Sequence, residues 1–363
     1  MTTMTNAPFG RVHIIGAGLL GASIGLALRD QDVVVTLADA SPSAVALASD
    51  YGAGVALPPG APAPDLVVVA VPPDVAMEVT RSALEQFPAA TVIDVTSVKA
   101  GIYEGLTQTG ADIARFVGTH PMAGRERGGA VSARSDLFTA RPWVICEAEE
   151  DRRQRVDSFV RSLGATPIMM SANEHDRAVA LMSHTPQLLS SVMAARLSDA
   201  SPVALSLAGG GIRDVTRIAA SDPALWIQIV QANAEAIGEY LQGVKTDVDR
   251  LLEALGDLGA TGSRSAIADL LHAGNAGVSQ LPGKHGVSTT FASLIVVIDD
   301  TPGQLAKLLT QLGDWGVNLE DLRLEHSPGA NVGFADLTVK KDVVAEVESK
   351  LIESGWRIAG EAK

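Results

Sequence analysis

The sequence predicts a parallel, doubly wound α/β domain over residues 10–171, an all-α domain over 172–280, a linker at 281–290 and a small βαββαβ sandwich over 291–363. Three observations predict this. Short, continuously apolar strands alternate with helical segments in the first half, the pattern of a parallel sheet covered on both faces. Residues 174–275 then carry long helical periodicity with almost no β-branched runs. After a stretch rich in Gly, Ser and Pro (274–290), strand and helix patterns recur in the order βαββαβ, which is a ferredoxin-like order.

The strands of the first domain are read at Val12–Ile15, Val33–Ala38, Leu66–Val71, Val92–Val95, Phe116–Val117, Pro142–Cys146 and Pro167–Met170. A helix is expected from Leu19 to Asp30. Ser41-Pro42 reads as an N-cap followed by proline at the first helical position. In the last domain, strand-like LIVVI is followed by a helix over Pro302–Trp315. Strands over Val317–Glu325 and Asn331–Val339, a helix over Asp342–Glu353 and a short strand at Trp356–Ile358 complete it.

The chain has 363 residues, 47 % hydrophobic and 19 % charged, as expected of globular domains. A formal net charge of −14 argues against nucleic-acid or anionic-membrane partners. No run approaches the ~18 apolar residues of a membrane span, and the N-terminus lacks a signal-peptide core. The single cysteine, Cys146, permits no internal disulfide, fits a reducing cytoplasm and reads as a buried small hydrophobe. No metal-ligand cluster is expected.

Gly16-Ala17-Gly18-Leu19-Leu20-Gly21 follows a predicted strand and opens a predicted helix, the context that makes this spacing a Rossmann dinucleotide fingerprint. Gly16 serves the tight turn, Gly18 the approach of a pyrophosphate, and Gly21 close helix–strand packing. Asp39 ends the second strand, where a carboxylate accepts from ribose hydroxyls and repels a 2′-phosphate. No arginine stands within the next five residues, so NAD is expected rather than NADP. Leu19, Leu20, Val71 and Pro72 complete the expected cofactor-binding set.

Three further segments carry chemistry. Asp94-Val95-Thr96-Ser97-Val98-Lys99 ends a strand, and Ser97 is placed either to face a ligand or to cap the next helix. Gly118-Thr119-His120-Pro121-Met122-Ala123-Gly124 also ends a strand. His120 suits a general base for alcohol oxidation, with a structural role as the alternative, and Glu126 stands near the mouth of the same site. In the helical region, Ser183-His184-Thr185-Pro186-Gln187 interrupts a helical pattern after Glu174-His175-Asp176. The run Gly209–Arg217 places Arg213 and Arg217 four apart on one helix face, as two carboxylate forks or two solvated charges.

Together with Ser221-Asp222-Pro223 and Trp226, these segments resemble the prephenate dehydrogenases over nearly the whole chain. The tail resembles an ACT domain, with Asp300, Pro302 and Gly303 at its first strand–helix turn. The resemblance implies oxidative decarboxylation of prephenate to 4-hydroxyphenylpyruvate, with NAD as hydride acceptor. It implies that His120 takes the hydroxyl proton and that Ser97 hydrogen-bonds both His120 and that hydroxyl. Arg217 would hold the ring carboxylate. Arg213, Ser183 and Gln187 would line the side-chain end, Trp226 would form an apolar wall, and Glu126 would take part in gating. It further implies a homodimer and tyrosine as an effector at the tail. Gln187 stands where certain relatives carry histidine, and neither is the carboxylate that arogenate's amino group would attract, so prephenate is favoured. A 3-hydroxy-acid dehydrogenase is the first competitor, but it would call for a catalytic lysine where the helical domain offers only Lys245. A non-catalytic amino-acid sensor is the second.

Overall fold

The computed structural model describes residues 8–124, 128–281, 291–326, 332–359. Glu126 and most of the predicted linker lie outside the described residues. The chain divides into two compact units, Met1–Asp199 with Val215–Val244, and Ala200–Asp214 with Lys245–Lys363.

The first unit opens with β1 (Arg11–Ile15), α1 (Leu19–Leu28), β2 (Val34–Ala38), α2 (Pro42–Asp50), β3 (Val55–Ala56), β4 (Leu66–Val69) and α3 (Pro73–Gln86). There follow β5 (Thr91–Asp94), α4 (Ala100–Gln108), β6 (Phe116–Pro121), β7 (Pro142–Ile145), α5 (Glu150–Ser162) and β8 (Thr166–Met169). They form one sheet in the order β3-β2-β1-β4-β5-β6-β7-β8. The first six are parallel and their order reverses between β1 and β4, the crevice where doubly wound sheets bind ligands. The sheet is not wholly parallel: β7 runs antiparallel to β6, pairing His120 with Val144. The apolar run Pro142–Cys146 marks a buried strand but carries no sign of its direction.

The apolar strands bury both faces. On β4, Leu66 and Val68 belong to the core under α1 and α5, while Val67 and Val69 belong to the core under α3 and α4. Ser41 takes the N-cap position of α2 with Pro42 behind it, as expected. Cys146 is buried, and burial raises its thiol to about 12, as its reading as a small hydrophobe requires.

The helical residues continue this unit with α6 (Ala172–Val179) and α7 (Thr185–Ala195). A capping box holds the start of α6: the Ser171 hydroxyl accepts from the Glu174 N–H, and the Glu174 carboxylate accepts from the Ser171 N–H. The proline does not break the helix as the sequence suggested. Residues Ala180–His184 form a π turn that leads directly into α7 with Pro186 in its first turn. Pro186 has no N–H to give and its ring crowds the preceding turn, and a widened turn relieves that crowding.

Helices α8 (Pro202–Leu205), α9 (Gly210–Thr216), α10 (Pro223–Ala232), α11 (Ala234–Gly256) and α12 (Ser263–Val278) follow. Because α12 runs to Val278, the first residues of the Gly- and Ser-rich stretch are helical rather than linker. Helix α9 ends at Thr216 and Arg217 opens a 3-10 turn. Arg213 and Arg217 therefore do not share one α-helical face.

The second unit ends with β9 (Phe291–Asp299), α13 (Gln304–Asp314), β10 (Asp321–His326), β11 (Val332–Lys340), α14 (Val344–Glu353) and β12 (Arg357–Ile358). The antiparallel sheet order is β10-β11-β9-β12, as βαββαβ connectivity requires. Alternate residues of β9 (Ala292, Leu294, Val296, Ile298) and β11 (Ala335, Leu337, Val339) pack on Leu308, Leu312, Val347 and Leu351 of the two helices. Among the described residues, no helix is long and apolar enough to cross a membrane, and no cluster could hold a metal ion.

Candidate active site

The first six strands deliver their following loops to the same edge of the sheet, and the glycine turn, Asp39, Val71, Pro72 and Ser97 occupy those loops, with His120 at the carboxyl end of β6. Gly16 follows β1 with φ +109, and a Cβ there would lie 2.2 Å from the Ala70 carbonyl oxygen. A Cβ on Gly21 would lie 1.9 Å from the Gly16 oxygen, whereas one on Gly18 would meet nothing within 4 Å. Two glycines are thus demanded by the fold. The third keeps open space above the start of α1, whose N-terminus has no capping side chain. Its unpaired N–H groups are a ready site for a pyrophosphate. Asp39 follows β2 and accepts from the Ala17 and Ser41 N–H groups, both at 2.8 Å. Those bonds fix its carboxylate beside the glycine turn. Val71 and Pro72 follow β4, and Pro72 caps α3. These residues fit a dinucleotide.

The loop after β5 is built on a buried ion pair. Asp94 and Lys99 are both fully buried and bonded to each other. Asp94 also accepts from the Thr96 hydroxyl, the Thr96 N–H at 3.0 Å and the Thr119 N–H at 3.2 Å. Lys99 donates to the Thr96 hydroxyl at 3.0 Å. The pair therefore ties the loop carrying half-buried Ser97 to the strand carrying His120. Lys99, not Ser97, holds the N-cap position of α4.

His120 is the penultimate residue of β6 and is half-buried. Its Nδ1 lies 2.9 Å from Nε2 of His175 on α6, and the Nδ1 of His175 lies 2.7 Å from Oδ1 of Asp176. Asp176 also accepts from the Lys99 N–H on Oδ1 and the Ala100 N–H on Oδ2, each at 2.8 Å. The expected hydrogen bond from Ser97 to His120 is not formed among the described residues. His175 holds the ring nitrogen nearest the backbone instead.

Burial, the largest cause, pushes the His120 pKa well below the ordinary imidazole value, with the buried Lys99 ammonium acting in the same direction. A base with a lowered pKa stays unprotonated as pH falls through ~6.5. If His120 is the base, the acid limb of the kcat/KM profile should therefore lie below pH ~6.5, and a limb at or above it would contradict the assignment.

A second cluster adjoins the first. Asn233, which follows α10, donates to the Asp176 carbonyl at 2.8 Å and lies 3.1 Å from Nδ1 of His184. Burial, the largest cause, brings His184 down to about 4. Its ring meets Trp226 edge-on at 6.0 Å. Gln187 on α7 donates to the Ser221 hydroxyl at 2.7 Å. Arg217 lies on the 3-10 turn that packs against α7, exposed, and Ser183 lies half-buried in the π turn. Gln187, Ser221, Trp226 and the Arg217 turn thus gather around α7. Arg213 belongs to the other unit and is exposed. Asp300, Pro302 and Gly303 form the exposed turn from β9 to α13, with Gly303 at φ +90 in the N-cap position.

The chain is 35 % identical to a probable prephenate dehydrogenase of Streptomyces niveus over 326 residues, which cover 87 % of this chain and 90 % of that relative. The chain belongs to the prephenate dehydrogenase family. The family model for the prephenate dehydrogenase nucleotide-binding domain matches residues 24–167, and that for the prephenate dehydrogenase dimerization domain matches 171–262. A cyclohexadienyl dehydrogenase of Zymomonas mobilis is 30 % identical, covering 68 % of this chain and 89 % of its own. The crystal structure of prephenate dehydrogenase from A. aeolicus, in complex with hydroxyphenyl propionate and NAD+, has the same fold. Its TM-score is 0.63 at 24 % identity, covering 76 % of this chain and 99 % of that one.

Of the residues that organise the site, Asp94, Lys99, His175 and Asp176 stand in segments the sequence singles out but receive no role from it, and Asn233 is not singled out at all. Lys99 is a lone cation after an apolar strand, and His175-Asp176 sits directly behind a capping box. Their partners are distant in sequence, so only the fold joins them.

Proposed function

We propose that this chain oxidises prephenate to 4-hydroxyphenylpyruvate and CO2, with His120 as the general base. NAD is the cofactor. It accepts the hydride from ring carbon C4. The observation that carries the reading is the placement of His120, held uncharged at the carboxyl end of β6, on the sheet edge that also presents Gly16, Gly18, Asp39 and Ser97.

In this reading His120 accepts the 4-hydroxyl proton while the C4 hydride leaves, and the ring carboxylate then departs as CO2. Its bonding electrons enter the ring and make it aromatic. Ser97 bonds the same hydroxyl, beside the Nε2 of His120 that His175 leaves free. Arg217 orients the ring carboxylate. Its exposure suits a guide rather than a clamp, because a tight grip would oppose departure of neutral CO2. Arg217→Ala should weaken prephenate binding by about 1.5–3 kcal/mol, the range for a hydrogen bond to a charged group. Steady-state KM checks this, and an unchanged KM removes Arg217 from the site. Gln187 and Ser183 line the side-chain end, and Trp226 forms an apolar wall.

The finer assignments follow from the same residues. The boundaries 10–171, 172–280 and 291–363 separate nucleotide, substrate and regulatory functions. A homodimer is supported by the dimerization-domain match and by Val248, Leu252 and Leu255, exposed apolar residues on one face of α11. The βαββαβ module is read as an ACT domain that senses tyrosine at the Asp300–Gly303 turn. The cytoplasm is the proposed compartment.

NADH formation with purified protein tests the reading, comparing prephenate with arogenate, NAD with NADP, and each with and without tyrosine. Turnover of prephenate with NAD supports it. Preference for arogenate overturns the reading of Gln187, preference for NADP that of Asp39, and a rate indifferent to tyrosine that of the tail.

A further inference from the structure

We infer that His175 and Asp176 are positioning residues for His120: they hold it in the Nδ1–H tautomer, so that Nε2 is the free proton acceptor, and the same carboxylate fixes the loop that carries Ser97. The inference rests on the reading of His120 as the base and adds what makes it one.

Asp176 stands among donors. Its two oxygens receive the Lys99 and Ala100 N–H groups, and Oδ1 is 2.7 Å from Nδ1 of His175. An acceptor of this kind requires the hydrogen of His175 to sit on Nδ1. The Nε2 of His175 is then a lone pair, and the group 2.9 Å away, Nδ1 of His120, must supply a hydrogen to it. The remaining nitrogen of His120, Nε2, carries no hydrogen. The tautomer is thus dictated from the carboxylate outward over two rings.

The same arrangement favours the step itself. When the substrate O–H bond breaks and an N–H bond forms at Nε2, His120 becomes a cation and keeps its Nδ1 hydrogen. Its bond to His175 is then charge-assisted, which is stronger than the neutral bond before it. The support is rigid. His175 is fully buried, and among the described residues its ring has no polar partner besides His120 and Asp176. The Asp176 backbone is held by Asn233, which also meets His184. Among the described residues, the charged and titratable groups acting on His120 are His175, backed by Asp176, Lys99, paired with Asp94, and His184. A change at Asp176 would also uncap α4, so His175 is the position to vary.

The full-length protein with 15N-labelled histidine reports the tautomer directly by NMR, and two variants report its consequence. His120 should be protonated at Nδ1 in the wild type. His175→Phe removes the acceptor and should lower kcat by about 10²–10³-fold with prephenate KM shifted less than about threefold. His175→Gln places an amide oxygen near the lost Nε2 and should recover kcat to within about tenfold of wild type. An Nε2–H tautomer in the wild type overturns the inference. So does a His175→Phe kcat within about threefold of wild type, or a His175→Gln no faster than His175→Phe. If His175→Phe loses NAD binding through misfolding, the wild-type tautomer and His175→Gln decide alone. His120→Asn is run beside them. If it is inactive while His175→Phe is not, only the positioning role fails. If it too is active, the reading of His120 as base has failed.

Discussion

Replacing His120 by asparagine should lower kcat with prephenate by about 10²–10⁴-fold, the usual contribution of a positioned general base. Asparagine keeps a polar side chain of similar reach but cannot take a proton near neutral pH. Nothing in the dinucleotide cradle should change. Gly16, Gly21 and Asp39 are fixed by β1, β2 and α1, on contacts that do not involve His120. NAD affinity, measured by fluorescence quenching, should therefore be kept while turnover is lost. The loss should also fall on kcat and kcat/KM alike, because the proton transfer belongs to the transition state. A variant turning over within about threefold of wild type would remove His120 from the chemistry. Loss of NAD binding together with turnover would show a structural role, and would shift attention to the Asp94–Lys99 loop as the element actually disturbed.

That division between cradle and base also explains what could be read from the residues in order. The glycine turn, Asp39, Ser97 and His120 all lie where a short apolar strand stops. A strand's end is a local feature, visible without knowing any partner. The βαββαβ tail was legible for the same reason, since its strands alternate buried and exposed residues with period two. Strand β3 escaped notice because Val55 and Ala56 are an exposed edge pair with only β2 beside them. The antiparallel direction of β7 has no sequence signal, because both neighbours of a buried strand ask for the same apolar residues. The largest omissions were contacts across sequence. His120 meets His175 at a separation of 55 residues, and Asp176 reaches the Lys99 N–H at 77. Periodicity and motif spacing are blind at that range. The partner of His120 Nδ1, His175, was invisible until the helix was folded against the sheet.

Lys99→Met should be the most destabilising single change at the site, costing about 3–5 kcal/mol by leaving a buried carboxylate without its counter-charge. Asp94 and Lys99 have no exposed side-chain surface at all, so water cannot take the place of the lost ammonium. The backbone and hydroxyl donors from Thr96 and Thr119 remain, but they supply partial charges against a full one. Methionine matches the lysine stem and fills its space beside Gly118 and Tyr103, so the change measures charge rather than a cavity. Urea unfolding monitored by circular dichroism gives the value. The double variant Asp94→Asn with Lys99→Met neutralises both groups and should recover a large part of the loss, since a buried pair as a whole contributes far less than either partner's removal costs. A single-variant loss under about 1 kcal/mol would remove the ion pair from the account of what holds this loop. Activity should separate the two variants further. The double variant regains stability but lacks the fork of bonds that joins the Ser97 loop to β6, so its kcat should stay depressed even where the fold is restored.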